Sequence, residues 1–195
     1  MKLFLASKNK HKILEFKRIL APLGIELVSE DQLEKPLTEV DETGTTFEEN
    51  AYLKASAALK ETGLPSIADD SGLCVDYLNG DPGIYSARFA GEPVDNDKNN
   101  EKLLNLLKGV PKEDRAARFV CSIVCVFPDG NKITAMGSCE GYIDFAPKGN
   151  NGFGYDPLFV SEIGSFGEIS DAEKDSVSHR GRALEDFSKK ITKFL

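Results

Sequence analysis

Apolar positions come as short runs separated by helical stripes. Residues 2–6 form a near-continuous apolar run, the pattern of a strand buried on both faces. A polar turn at 7–11 leads into a stripe of Ile13, Phe16, Ile19 and Leu20, which predicts a helix stopped near Pro22 and Gly24. Residues 25–29 read as a second strand, and the acidic stretch 30–44 as loop. Thr46 and Glu49 form a capping-box pattern that opens a helix through Phe47, Ala51, Ala55, Ala58 and Leu59, closed by Gly63 and Pro65. The run 64–68 predicts a strand that ends at Asp69-Asp70. A stretch bearing glycine and proline, 79–91, follows, then a helix from 95–97 carrying Leu103, Leu104, Leu106 and Leu107. In 117–127 both alternating faces are apolar, as in a central strand; 128–131 is a turn and 132–143 returns as its hairpin partner. Ser178 is placed to cap a last helix with Leu184, Phe187, Ile191 and Phe194 on one face. Early alternation of strand and helix with a later hairpin predicts an α/β protein with a mixed sheet. No repeat or linker interrupts it, so residues 1–195 read as a single domain.

Charge narrows the partners. With 24 basic and 32 acidic residues the chain carries a formal charge of −8, which argues against a nucleic-acid-coating surface. A nucleotide remains possible, because a few local lysines or arginines can outweigh the global field. No apolar stretch approaches the roughly 20 residues needed to span a bilayer, so no membrane partner is expected. The cysteines, Cys74, Cys121, Cys125 and Cys139, show no C-x-x-C spacing, and on a strand Cys121 and Cys125 would lie about 13 Å apart. Buried thiols in a reducing, cytoplasmic setting are the expectation.

Five places along the chain carry candidate chemistry. Asp69 and Asp70 place like charges side by side, followed by Ser71 and Gly72. A solvated Asp-Asp turn explains them in isolation; a shared cation or proton explains them if the rest of the chain supplies phosphate chemistry. Glu42, in the loop before the capped helix, matters only if the fold brings it to Asp70. Ser7, Lys8, Asn9, Lys10, His11 and Lys12 occupy a strand-to-helix turn. Backbone N–H groups there form an anion site, and cations in a first turn oppose the helix dipole unless an anion binds. The alternative is a helix start whose lysines face solvent. Around Phe153, the sequence Gly152-Phe153-Gly154-Tyr155-Asp156-Pro157 offers a stacking ring on a backbone that can approach a flat ligand, or else aromatics that plug the core. Lys174, His179 and Arg180 complete the set: Arg180 has the fork for a purine O6/N7 edge, and His179 is either a ligand contact or a core histidine.

These segments, in this order, resemble the inosine/xanthosine triphosphate pyrophosphatase family. The matching stretches are Ser7-x-Asn9-x-x-Lys12 with Glu15, Thr46-Phe47-x-Glu49-Asn50-Ala51 with Lys54, and Ala68 to Leu73. They continue with Pro82 to Arg88, Gly152 to Pro157, and Glu173-Lys174 with Ser178-His179-Arg180. The resemblance covers essentially the whole chain. It implies an elongated, twisted mixed β-sheet flanked by helices, two lobes with a central active-site cleft, and a homodimer. It implies Mg²⁺-dependent hydrolysis of ITP, dITP and XTP to the monophosphate and pyrophosphate, a cleansing of the nucleotide pool. By position, Asp70 matches the general base and a metal-linked carboxylate, Glu42 a metal ligand and Asp69 a supporting acid. Ser7 to Lys12 match the triphosphate cradle and Lys54 a further phosphate-side cation. Ser71, Phe153, Gly154, Tyr155, Asp156, Lys174, His179 and Arg180 match nucleotide contacts. Departures are small: Lys10-His11 is bulkier than the residue often found there, Asn150-Asn151 precedes Gly152, and Val177 replaces an isoleucine. Two rivals are a Maf-like pyrophosphatase, whose Ser-rich, Arg-bearing loop is replaced here by Asn9 and Lys12, and a nucleotide sensor without chemistry, which the intact Glu42, Asp69 and Asp70 oppose.

Overall fold

The computed structural model describes residues 1–194. Its elements in chain order are β1 (Lys2–Leu5), α1 (Lys10–Leu20), β2 (Glu26–Ser29), α2 (Phe47–Thr62), β3 (Ser66–Val75), α3 (Asn96–Leu106), β4 (Ala116–Val126), β5 (Lys132–Ile143), β6 (Phe159–Ser161), β7 (Gly164–Ser165), α4 (Asp171–Val177) and α5 (His179–Ile191). The strands form one sheet in the order β2-β1-β3-β4-β5-β6-β7. β1 pairs in parallel with β2 and β3, while β6 pairs antiparallel with β5 and β7, so the sheet is mixed as the sequence predicts.

Packing divides the chain into two compact units. The first comprises Met1–Asp70, Cys121–Gly137 and the segment from Arg180 onward; the second comprises Ser71–Val120 and Ser138–His179. In the first unit, period-two alternation along β4 assigns its two faces. Cys121, Ile123 and Cys125 join Leu3, Leu5, Phe16, Leu20, Leu184 and Phe187 in one cluster, which α1 and α5 cover. Val124 and Val126 point the other way, onto Ala51 and Ala55 of α2. The small alanines of α2 let that helix lie close to the strands while its polar side chains line one edge. In the second unit, Phe119, Phe159 and Phe166 form an aromatic core with Leu73, Leu103, Ile143 and Leu158. Burial of each such large side chain contributes about 1.5–3 kcal/mol.

The helix ends follow local chemistry. Thr46 and Glu49 make both arms of the capping box at α2, whose last turn closes on Gly63 in the left-handed region (φ 68°). Asn9 caps α1, accepting from the backbone N–H groups of His11 and Lys12. One strand differs from expectation. β3 does not end at Asp69-Asp70 but runs through both to Val75. The physical reason is that each carboxylate meets cations in the fold, so neither needs the solvent that a turn would give it. The four cysteines are thiols, three of them buried, as expected. Among the described residues no helix is long and apolar enough to cross a membrane.

Candidate active site

The first unit assembles one buried charge cluster. Alternation along β3 sends Asp69 and Asp70 to opposite faces of the sheet, and each face supplies its own partners. Asp69 is 2% exposed. Its Oδ2 accepts from Lys12 Nζ at 2.9 Å and from Arg180 Nε and Nη2 at 3.2 Å. Arg180, itself 1% exposed, also donates from Nη1 to the buried carboxylate of Glu15 on α1. Burial works to raise the Asp69 pKa, but Lys12, Arg180 and Lys54 outweigh it and hold this carboxyl well below the usual range. The same pairing lifts Arg180 above its ordinary value against its own burial.

On the other face, α2 presents Asn50 and Lys54 one turn apart. Lys54 Nζ donates to Glu42 Oε1 at 2.8 Å and to Asp70 Oδ1 at 3.1 Å, and Asn50 Nδ2 donates to Asp70 Oδ2 at 3.3 Å. Asn50 Oδ1 accepts from the backbone of Gly44 at 2.8 Å, which anchors the loop carrying Glu42. A Cβ on Gly44 would lie 2.6 Å from that same oxygen, so the position requires glycine. Burial pushes the Asp70 carboxyl up, Glu42 adds to this, and Lys54 and Lys12 only partly oppose it. Adjacent aspartates are thus shifted in opposite directions: Asp69 is held anionic by its cations, while burial and Glu42 push the Asp70 carboxyl up.

Glu42 and Asp70 converge on one nitrogen, so their oxygens lie at most about 6 Å apart. An all-oxygen pair of this kind suits a hard divalent cation that takes its remaining ligands from phosphate and water. Among the described residues no group of three or more His, Cys, Asp or Glu could hold a metal, so an ion at this pair would take most of its ligands from outside the protein.

The second unit gathers the other predicted residues. Lys174, 4% exposed, donates to Asp156 Oδ2 at 2.7 Å, and its ammonium lies 4.9 Å from the Phe153 ring centroid. Asp156 Oδ2 also accepts from the Phe153 backbone at 2.8 Å. Gly152 (φ 73°) is required for this turn, since a Cβ would come within 2.0 Å of that oxygen. The Tyr155 hydroxyl, buried, donates to Ser86 O at 2.7 Å. Asn100 Nδ2 donates to Gly154 O at 3.0 Å. His179, 4% exposed, stacks on Phe119 with centroids 4.7 Å apart. Ser71 is half-buried at the start of this unit.

The predicted residues therefore separate into two sets. Lys12, Glu42, Lys54, Asp69, Asp70 and Arg180 belong to the first unit, and Phe153, Gly154, Tyr155, Asp156, Lys174 and His179 to the second. Lys8, Asn9, Lys10 and His11 are exposed at the start of α1, and Ser7 accepts from the Asn9 N–H at 3.3 Å. One residue has a further role and one has other contacts. Asn9 caps α1 by accepting through Oδ1 from the backbone N–H groups of His11 and Lys12, which leaves its Nδ2 as the donor it offers the turn. Arg180 was expected to fork onto a purine edge, but its Nε, Nη1 and Nη2 are engaged by Asp69 and Glu15. Glu15, Asn50 and Asn100 went without assigned roles. A polar Asn50 on the alanine stripe of α2 was the available signal for one of them.

Comparison with known proteins bears on the family. The Ham1 family model matches residues 3–190. A dITP/XTP pyrophosphatase of Desulforamulus reducens is 53% identical over 186 residues, covering 94% of this chain and 92% of that protein. One from Bacillus licheniformis is 50% identical over 187 residues, covering 94% of each chain. Among solved structures, a HAM1 protein from Coxiella burnetii superposes with a TM-score of 0.89 at 38% identity over 99% of both chains. The Staphylococcus aureus Ham1 protein gives 0.87 at 39% identity over 100% of both. The chain belongs to the Ham1 family.

Proposed function

We propose that this chain hydrolyses deaminated purine nucleoside triphosphates, ITP, dITP and XTP, to the monophosphate and pyrophosphate with Mg²⁺, and so cleanses the nucleotide pool. The observation that carries the reading is the convergence of Glu42 and Asp70 on a single point, beside an Asp69 already neutralised by Lys12 and Arg180. Close relatives named for dITP and XTP supply the substrate class.

Glu42 and Asp70 would hold the metal. When bound there, Mg²⁺ offsets the charge of the phosphates and of the departing pyrophosphate. Asp70, basic through burial and oriented by Asn50, takes the proton of a water whose oxygen bonds to the α-phosphorus. The bond from that phosphorus to the α–β bridging oxygen breaks, and pyrophosphate leaves with the electron pair. Lys12 and Lys54 bring positive charge to the outgoing group. Asp69, held anionic, fixes Lys12 and is itself fixed by Arg180.

Base selection falls to the second unit. Phe153 offers a ring to stack on the purine, and Lys174 and His179 are donors suited to an O6 acceptor. Adenine presents an amino donor at that position, so a buried donor would go unsatisfied at about 1–3 kcal/mol. The protein acts as a homodimer in the cytoplasm on this reading; the four thiols suit a reducing compartment. The test is kcat/KM across ITP, dITP, XTP, GTP, ATP and UTP. ITP and XTP should exceed ATP by roughly 5- to 150-fold. Equal turnover of ATP would overturn the base assignment, and preference for UTP would favour a Maf-like enzyme.

A further inference from the structure

We infer that Lys54 is a resident counter-ion for the Glu42–Asp70 pair, displaced when metal arrives with the nucleotide, so that the protein refuses bare divalent metal. The inference rests on the metal-dependent reading above and concerns the order in which the components enter.

Lys54 is 18% exposed at its side chain and lies against both carboxylates at once, at 2.8 and 3.1 Å. Two oxygens on one Mg²⁺, each at about 2.0–2.1 Å, lie within roughly 4.2 Å of each other. An ammonium nitrogen held at both contacts therefore occupies the space the ion needs, and the two cannot share it. Charge points the same way. Lys54 sets a positive charge against both Glu42 and Asp70, and while it stays there the pair attracts a hydrated divalent ion less strongly.

A nucleotide changes the balance. Its phosphates give the ammonium another anion to join, and the four-carbon stem of lysine allows that transfer without moving α2. Glu42 and Asp70 then close on the ion that the nucleotide carries. Lys54 passes from carboxylates to phosphates in the same event, which makes the phosphate-side cation available only when substrate is present.

The experiment titrates Mn²⁺ into nucleotide-free wild type, Lys54→Met, Lys54→Gln and Lys54→Arg, with bound ion read by electron paramagnetic resonance. Lys54→Met and Lys54→Gln should bind Mn²⁺ alone at least tenfold more tightly than wild type, while Lys54→Arg, which keeps the charge, should not gain. If Lys54→Met fails to fold, Lys54→Gln, which retains hydrogen-bonding capacity, decides. Equal Mn²⁺ affinity in wild type and the neutral variants, or weaker binding in the variants, overturns the inference. The titration needs no turnover, so the two readings separate. A neutral variant that gains Mn²⁺ in a protein that spares ITP refutes the function alone. A wild type that cleaves ITP with no gain in the variants refutes the counter-ion role alone.

Discussion

Replacing Arg180 with methionine removes the guanidinium but keeps much of its volume. The perturbation strikes a buried group: Arg180 is 1% exposed, and its carboxylate partners Asp69 and Glu15 are 2% and 6% exposed. Asp69 would keep Lys12 at 2.9 Å, so its loss is partial. Glu15 would lose its guanidinium partner inside the first unit. Breaking a buried ion pair by removing one partner costs about 3–5 kcal/mol. For a chain of this length each kcal/mol moves the melting temperature by about 2–4 °C, so Arg180→Met should melt roughly 6–20 °C below wild type. Adding Glu15→Gln to the same chain should restore more than half of that drop, because the buried carboxylate that the guanidinium had neutralised is no longer charged. The assays are calorimetric melting and urea denaturation of the two single variants and the double variant. The surviving activity should keep the wild-type ratio of ITP to ATP turnover, since Arg180 acts through Asp69 and Lys12 at the phosphate side. A melting temperature within 1 °C of wild type, or a collapse of the ITP/ATP ratio, would refute the reasoning.

Three further outcomes follow from the same geometry. Asp70→Asn should lower kcat by about 10²–10⁴-fold, the usual worth of a positioned base, while nucleotide binding by calorimetry stays measurable; near-normal turnover would remove Asp70 from that role. Gly152→Ala puts a Cβ 2.0 Å from Asp156 Oδ2 at a positive φ. The strain, about 1–3 kcal/mol, should raise KM for ITP far more than it lowers kcat, and an unchanged KM would show that this turn does not touch the base. Burial pushes the Cys125 thiol up to about 12 and Cys121 higher still. At pH 8 only about one Cys125 in ten thousand is a thiolate, so native alkylation followed by peptide mapping should label Cys74 first and spare the buried Cys121 and Cys125.

Much of the fold is local enough to read from the chain. The Thr46/Glu49 capping box, the Gly63 stop and the paired strands at 116–143 each depend on residues a few positions apart. The same rules should have found α4, since Ser170 and Glu173 make another capping box, but among its seven residues only Ala172 and Val177 are apolar, which gives no apolar stripe. β6 and β7 are three and two residues long and carry too little pattern to detect. The site shows the opposite limit. Asp69-Asp70 looked like the end of a strand because two charges in a row normally need water. What keeps them inside β3 lies far off in sequence: Arg180 is 111 residues from Asp69, and Lys54 is 16 from Asp70. Residue identity points to these groups, while burial and pairing set which partners each one meets. Arg180 is the clearest case, a base reader by its chemistry and a support for Asp69 by its contacts.

The most direct test of the central claim is hydrolysis of ITP in ¹⁸O-labelled water, with products resolved by mass spectrometry. Attack at the α-phosphorus, with Asp70 as base, predicts one labelled oxygen in the monophosphate and none in pyrophosphate. Label in pyrophosphate, or release of orthophosphate in place of pyrophosphate, would contradict it.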